Sequence, residues 1–540
     1  MKMNMKKFLI PASLMLILAS CTDLDVDPKG YYTSYPTANA AVEAKTSACY
    51  FAFKDALGRR FDEGNSCNSD EYTAVSFKGD YLNNRDMANF SLHSIDPSAS
   101  SAQLNVYKDI QGGITKCSQA IIDLGGADEV AAAPVRAVRA FYTFILMDHW
   151  GDTPILDHII GEEEVVNRSP RDSVAMWIES ELLDCMDNCP TDMSASNYGK
   201  PTYWMCCALL AKLYLNWPVY TKDVTSSSWS YGTNEKLDDC IAMCDKIIQS
   251  GLFDLNDDFK AKFFYDNGNQ IGDFIYVMPF DAVTAQGLTY ARFRTWRRGQ
   301  NNNGQYSIEM TKSVGGNMTL TPEFVQLFTL KGDRRNDCII GDATQETTDV
   351  YQYDVTTGEV TGTRCTYKGE EVTFKRSITL VTQDGDLNCG ADMTGWTQGY
   401  RSIKFFPNVE EYNTYGRNQS NDVPIFRYAD ALLMKAEAIV RGGSATNGDT
   451  AMSLFNQIRS YVNAPTISSA PSLQDILDER GREFLDEHWR RNDLIRFGQF
   501  ENDWGFKSFN ANAKNPTNRL WPLSVNVLEE NTNWEQNPGY

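Results

Sequence analysis

Between residues 476 and 500, in ILDERGREFLDEHWRRNDLIRFGQF, apolar and charged residues share one helical face, and that arrangement restricts the folds open to the chain. At about 100° per residue, Ile476, Leu477, Phe484, Leu494 and Ile495 fall on one stripe, joined by Arg480, Glu487 and Arg491. A stripe that apolar faces a core, so its charges must be carried inside with partners. Glu487 to Arg491, at i,i+4, predicts one such pair. Ser472 with Asp475 three residues on reads as an N-cap box, and Gly498 as the stop.

The same stretch places Glu483 and Glu487 one turn apart, which raises the question of acid/base chemistry. A di-iron site needs Glu-x-x-His, but Leu485 stands three residues before His488. Glycosidase carboxylates come from separate elements lining a cleft, and Arg480, Arg482, Arg490 and Arg491 would hold both acids ionised. The pair therefore reads as part of a structural ion network. The chain has no G-x-S-x-G elbow, P-loop, H-E-x-x-H or dinucleotide fingerprint. No enzyme activity and no cofactor is expected.

At the other end, Lys2, Lys6 and Lys7 precede an apolar run from Phe8 to Ala19, too short to span a bilayer and shaped like a secretion signal. It ends in Leu18-Ala19-Ser20-Cys21, a lipobox pattern, which makes Cys21 the expected lipidation site and residues 1–20 the signal. Three acyl chains would hold Cys21 stably on a membrane. Residues 21–36, with Asp23, Asp25 and Asp27, read as an acidic tether. No other stretch is expected to span a membrane.

The formal charge is −21, and without the three signal lysines it becomes −24, which repels nucleic acid and argues against a role there. Twelve cysteines follow Cys21 without a C-x-x-C, and only four histidines are present, so neither a disulfide framework nor a zinc site is indicated. Most of those cysteines are expected to be small core residues. Asp384-Gly385-Asp386-Leu387-Asn388 alternates oxygens, but Cys389 and Gly395 stand where an EF-hand needs glycine and glutamate, so no metal is expected.

Residues 37–260 read as successive amphipathic helices, at about 37–57, 101–124, 134–149, 170–186, 203–217 and 235–250, with a polar loop at about 58–99. Val138, Tyr142, Ile145 and His149 mark one face of the helix at 134–149. Ser169, Pro170 and Asp172 are expected to cap the next one. The pattern resumes at about 425–441 and 449–463. Helix pairs with alanines and aromatics at their crossings predict a mostly α, tetratricopeptide-like α-solenoid. Between them, 261–423 is rich in Gly, Asn and Thr, with strand-like runs DFIYVMPF and EVTFKRSITLV. Such an inserted region on a rigid frame is where binding groups are expected.

Glu479-Arg480-Gly481-Arg482-Glu483-Phe484, Arg490, Asp493-Leu494, Arg496-Phe497-Gly498 and the closing Asn537-Pro538-Gly539-Tyr540 resemble the SusD/RagB family of outer-membrane nutrient-binding lipoproteins. So do RYADALLMKAEAIV at 427–440, FNQIRS at 455–460, LTPEFVQLF at 320–328 and FYTFILMDHWGDTPI at 141–155. The resemblance implies a single domain over 37–540, with a helical scaffold (37–260 and 424–540) and a ligand-side region at 261–423. It implies non-catalytic capture of oligosaccharides at the cell exterior, and a SusC-like TonB-dependent transporter as partner in the outer membrane. The family motifs carry fold and partner better than ligand residues.

For the ligand, the favoured stretch is LTYARFRTWRRGQNNNGQY, 288–306. If extended, it puts Tyr290, Arg292, Arg294 and Trp296 on one face, where rings and guanidinium groups suit a sugar. The alternative is that these arginines pair with local carboxylates. A second candidate is the loop with Asp70, Glu71, Tyr72, Phe77, Tyr81, Asn83, Asn84 and Arg85, which lies near the ligand surface in similar family members. Trp229 and Tyr231 form a third. A competing reading of the whole chain is a tetratricopeptide-like scaffold that binds proteins or peptides on the outer membrane.

Overall fold

Short connections make each long helix pack on its chain neighbour, and the computed structural model describes that stack over residues 38–77, 85–99, 101–289, 308, 310, 317–383 and 385–540. After α1 (Ala38–Tyr50), a tight turn over Ala56–Arg60 leads into α2 (Phe61–Cys67). Then come α3 (Val106–Leu124), α4 (Ala133–Trp150), α5 (Arg171–Cys185), α6 (Tyr203–Leu215) and α7 (Leu237–Gln249). Helix α3 packs on α4, α4 on α5, and α6 on α7. The stack resumes with α8 (Tyr428–Val440), which packs on both α7 and α9 (Ala451–Tyr461). The fold is mostly helical, as the sequence indicates, and the described strands form two-stranded pairs with no closed sheet. Residues 45–540 make one unit.

Helix α4 corrects two expectations. Together with the turn before it, it is long and apolar enough to cross a bilayer, contrary to the reading that only the N-terminal run approaches that character. All eighteen of its residues are buried, so it has no exposed face at all. Its charges are paired inside: Arg136 donates to Glu181 at 3.1 and 2.8 Å, and Arg139 to the same carboxylate at 2.7 Å. A helix enclosed by protein on every side needs no polar stripe. Next to it, the helix expected to be capped by Ser169 has Pro170 at the N-cap, while Ser169 bridges to Thr153 through the backbone.

The polar loop expected at 58–99 is also corrected, because α2 lies inside the protein with every residue buried. The amide of Asn68, which caps its C-terminus, serves the C-terminal segment. Asn68 Oδ1 accepts from Arg491 Nε at 2.8 Å and from Trp521 Nε1 at 2.9 Å. A buried guanidinium and an indole N–H need an acceptor, and that need draws a polar string into the core.

Four strands tie the inserted region to the rest of the chain. They are β1 (Tyr72–Ala74), β2 (Phe274–Met278), β3 (Met318–Leu320) and β4 (Val423–Arg427), paired antiparallel as β1 with β3 and β2 with β4. The run DFIYVMPF contains β2, which is fully buried; EVTFKRSITLV supplies only the second residue of the strand Glu370–Glu371 and the strand Thr373–Lys375. All twelve described cysteines are buried free thiols.

The helix expected across 476–500 is two helices, α10 (Leu473–Glu483) and α11 (Arg490–Arg496). The capping box forms as expected: Ser472 Oγ accepts from Asp475 N–H, and Asp475 Oδ2 accepts from Ser472 N–H at 2.8 Å. Gly498, at φ 66°, follows the end of α11. Between the helices, Asp486 and His488 turn the chain through the left-handed region at φ 63° and 60°. Carbonyls freed by that break are taken up by a lysine: Lys404 Nζ reaches the Glu483 and Leu485 oxygens at 2.8 Å each.

The buried stripe exists, but its charges pair across the fold instead of along a helix. Glu487 accepts from Lys404 Nζ at 2.6 Å and from Arg427 at 2.7 and 2.9 Å, and the i,i+4 pair with Arg491 is not formed. Arg480 binds Asp430 and Asp493 at 2.7 and 2.8 Å. Truncating Glu487 strands two buried cations, so Glu487→Ala should lower unfolding free energy by roughly 3–5 kcal/mol. Denaturant unfolding measures this; a loss below ~1 kcal/mol would mean that Lys404 and Arg427 find other acceptors.

Candidate functional site

Two described strands next to the favoured ligand stretches pair with each other. Strand β1 pairs with β3 in the register Tyr72↔Leu320, Thr73↔Thr319 and Ala74↔Met318, and Val75 N–H donates to Asn317 O at 2.6 Å. Ser76 then bridges in parallel to Asn388, its N–H on Leu387 O at 3.1 Å and its carbonyl accepting Cys389 N–H at 2.9 Å. Thus Phe77, which precedes residues 78–84, and Asn317, which follows the 290–316 span, are held by neighbouring strands.

The start of the 288–306 stretch is rooted as firmly. Leu288 is fully buried, and Gly287 N–H donates to Asn418 Oδ1 at 3.0 Å. A Cβ on Gly58 would stand 2.4 Å from the Gly287 carbonyl oxygen, so the two backbones touch there and any larger residue at 58 would push them apart.

Sequence-predicted site residues fall into two groups. Cys21, Tyr81, Asn83, Asn84, Tyr290, Arg292, Arg294 and Trp296 lie outside the described residues, and Arg85 opens the helix Arg85–Ser91. The others belong to the frame. Asp70 takes Arg490 through both oxygens, Nε to Oδ1 and Nη2 to Oδ2 at 2.7 Å each, beside a small pocket of about 160 Å³ edged by Trp504. Glu71, Tyr72 and Phe77 are buried, with the Tyr72 hydroxyl donating to Asp486 Oδ1 at 2.9 Å. Trp229 and Tyr231 are half-buried or better occupied: Arg519 stacks on the first ring at 4.9 Å and Arg441 on the second at 3.9 Å.

Sequence reasoning missed Asp422, which supports the root of the 288–306 stretch. Its Oδ1 accepts Phe280 N–H at 2.9 Å and its Oδ2 accepts the Tyr198 hydroxyl at 2.6 Å. Burial pushes this carboxyl up to about 7, against those two hydrogen bonds, which favour its charge. No cation partner appears nearby in the sequence to signal it. Among the described residues, no group of three or more His, Cys, Asp or Glu is placed to hold a metal ion.

Residues 288–540 match the SusD family, and the starch-binding protein SusD of Bacteroides thetaiotaomicron is 25% identical over 436 residues, 76% of this chain and 72% of that one. By this match and by its fold, the chain is similar to the SusD family. A SusD-like protein of Bacteroides ovatus is 24% identical over 543 residues, covering 94% of this chain and 86% of the relative. Among solved structures, surface glycan-binding protein A of Bacteroides thetaiotaomicron, in complex with laminarihexaose, superposes with a TM-score of 0.66 at 18% identity, over 92% of this chain and 99% of that one. A laminarin-binding SusD-like protein superposes equally well, with a TM-score of 0.66 at 21% identity over 93% of this chain and 99% of that one, and this likeness establishes the SusD-like fold. The family match begins at Leu288, so it takes in the whole aromatic and arginine stretch.

The buried Asp422 is open to a pH test. Folded Asp422 keeps its proton up to about pH 7 whereas an unfolded aspartate releases it near 4, so its stabilising contribution is complete below about 4 and lost as pH rises toward 7. Asp422→Asn keeps a neutral side chain at every pH. Denaturation should show it matching the parent near pH 3.5 and exceeding it by ~1–3 kcal/mol at pH 8; an equal difference at both values would assign the titration elsewhere.

Proposed function

We propose that the chain is a non-catalytic cell-surface lipoprotein, anchored through Cys21 to the outer membrane, that binds oligosaccharides and passes them to a SusC-like TonB-dependent transporter. The observation that carries this reading is the family match over 288–540, which includes the sugar-suited stretch, alongside relatives named for starch and for bound laminarihexaose. The helical scaffold, 37–260 and 424–540, supplies the rigid frame, and 261–423 supplies specificity. Tyr290, Arg292, Arg294 and Trp296, with Tyr81, Asn83 and Arg85, contact the sugar. Rings stack on C–H faces while amides and guanidinium groups take hydroxyls. Asp70 acts one step back, holding Arg490 at the root of β1.

The paired acids Glu483 and Glu487 support binding without turnover. Glu483 and Glu487 face cations, and burial of Glu483 is outweighed by Arg427 and Arg335, which hold it below the usual range. An acid kept ionised cannot donate a proton to a leaving group near neutral pH.

Isothermal titration against a glycan panel, with product analysis, tests the reading; released shorter sugars would make the protein a hydrolase. Pull-down from solubilised outer membrane should recover a transporter, and a set of soluble protein clients instead would favour a peptide-binding scaffold. Trp296→Ala should weaken glycan binding about tenfold, ~1.4 kcal/mol, with the melting temperature unchanged. Unaltered affinity would remove the 288–306 stretch from the site.

A further inference from the structure

We propose that a second carbohydrate site, for a neutral hexose oligosaccharide, occupies the cleft between α9 and the 253–258 loop; this rests on the glycan-binding reading above. The cleft has a volume of about 860 Å³ and shares no residue with the β1–β3 edge. That volume lies within the range of roughly 300–1,000 Å³ in which proteins hold small ligands.

One wall is a helical face. Ser453, Asn456, Gln457 and Ser460 follow the i, i+3, i+4, i+7 spacing on α9, opposite the buried Leu454, Phe455 and Ile458. The other wall is a loop fixed by its own carboxylates: Asp254 Oδ1 accepts Asn256 N–H at 2.8 Å, and Asp257 Oδ2 accepts Gly272 N–H at 2.7 Å. Tyr428, the first residue of α8, lies half-buried at the base.

Within this cleft the hydrogen-bonding groups divide cleanly. Asn456 is committed to Ile467 through both ends of its amide, and the Tyr461 hydroxyl donates to Glu483. The side chains of Asn256, Gln457 and Ser460 and the hydroxyl of Tyr428 make no hydrogen bond among the described residues. Two amides that both donate and accept, two hydroxyls and a tyrosine face are what a sugar edge requires. Asp254, Asp257 and Asp258 outnumber Arg334, which is already paired with Asp258. Their remaining oxygens accept from hydroxyls and repel uronic or sulfated sugars, so the ligand is uncharged.

Amide hydrogen exchange on the full chain, with and without a panel of neutral linear hexasaccharides including laminarihexaose, tests this. Protection should appear at 253–258 and 453–461. The exposed double variant Asn256→Ala/Gln457→Ala should lower affinity there about tenfold at an unchanged melting temperature, two neutral hydrogen bonds being lost. Hexasaccharide binding that protects only other segments, or that protects the variant equally, would overturn this site and leave the glycan reading standing. Absence of binding by every hexasaccharide would overturn both. Salt-sensitive occupation by a lysine-rich peptide in place of sugar would also overturn it.

Discussion

Arg427 is the residue on which the inserted region and the C-terminal segment both depend. Its guanidinium donates to Asp273 at 2.6 Å, Glu483 at 2.9 Å and Glu487 at 2.7 and 2.9 Å, and every partner is buried. Lys262 shares Asp273 at 2.9 Å, Lys404 shares Glu487, and Arg335 ties Glu483 to Asp333 and Glu479. Such a cluster adds little net stability over a well-packed apolar core, because desolvation offsets most of the attraction. What it does supply is registry. Asp273, Lys262, Asp333, Arg335 and Lys404 come from the inserted region and Glu479, Glu483 and Glu487 from the C-terminal segment, so only one docking of the two satisfies all charges.

The same cluster decides against chemistry at these acids. Burial alone would raise Asp273 and Glu479, yet Lys262 and Arg427 beside the first, and Arg335, Arg482 and Arg459 beside the second, bring each down to about 2. Arg491 shows the opposite balance. Facing an amide, a carbonyl and two rings instead of a carboxylate, it is pushed down by burial to about 10. Charge in this core is therefore matched to structure, and burial without a neighbouring cation to offset it raises Asp422.

How much of this was legible follows from the range of each interaction. The capping box at Ser472 and Asp475 is local, and both residues behave as their spacing indicates. The charged stripe was legible as buried, since period and composition suffice for that. Its pairing was not, because the helix breaks without glycine or proline at Asp486 and His488, and the force that breaks it comes from Tyr72, Ser402, Lys404 and Arg427. The buried α2 was hidden for the same reason, its capping residue Asn68 being matched to Arg491 and Trp521 far along the chain. On the ligand side, aromatic and arginine alternation was readable at 290–296, whereas Asp70 reads identically as a ligand group and as a partner of Arg490.

A frame fixed by charge registry frees its edges to vary. Ligand groups on connecting segments can change with little effect on a core whose pairs lie elsewhere, provided the segment ends stay anchored. Here the anchors are backbone contacts: Val75 on Asn317, Ser76 on Asn388, and Gly58 against Gly287. Backbone anchors are indifferent to side-chain identity except where contact is closest, and Gly58 is such a point. On the reading proposed above, sequence change between 288 and 306 follows the sugar to be bound, while change at 58 is constrained by the close approach of Gly58 to the Gly287 carbonyl.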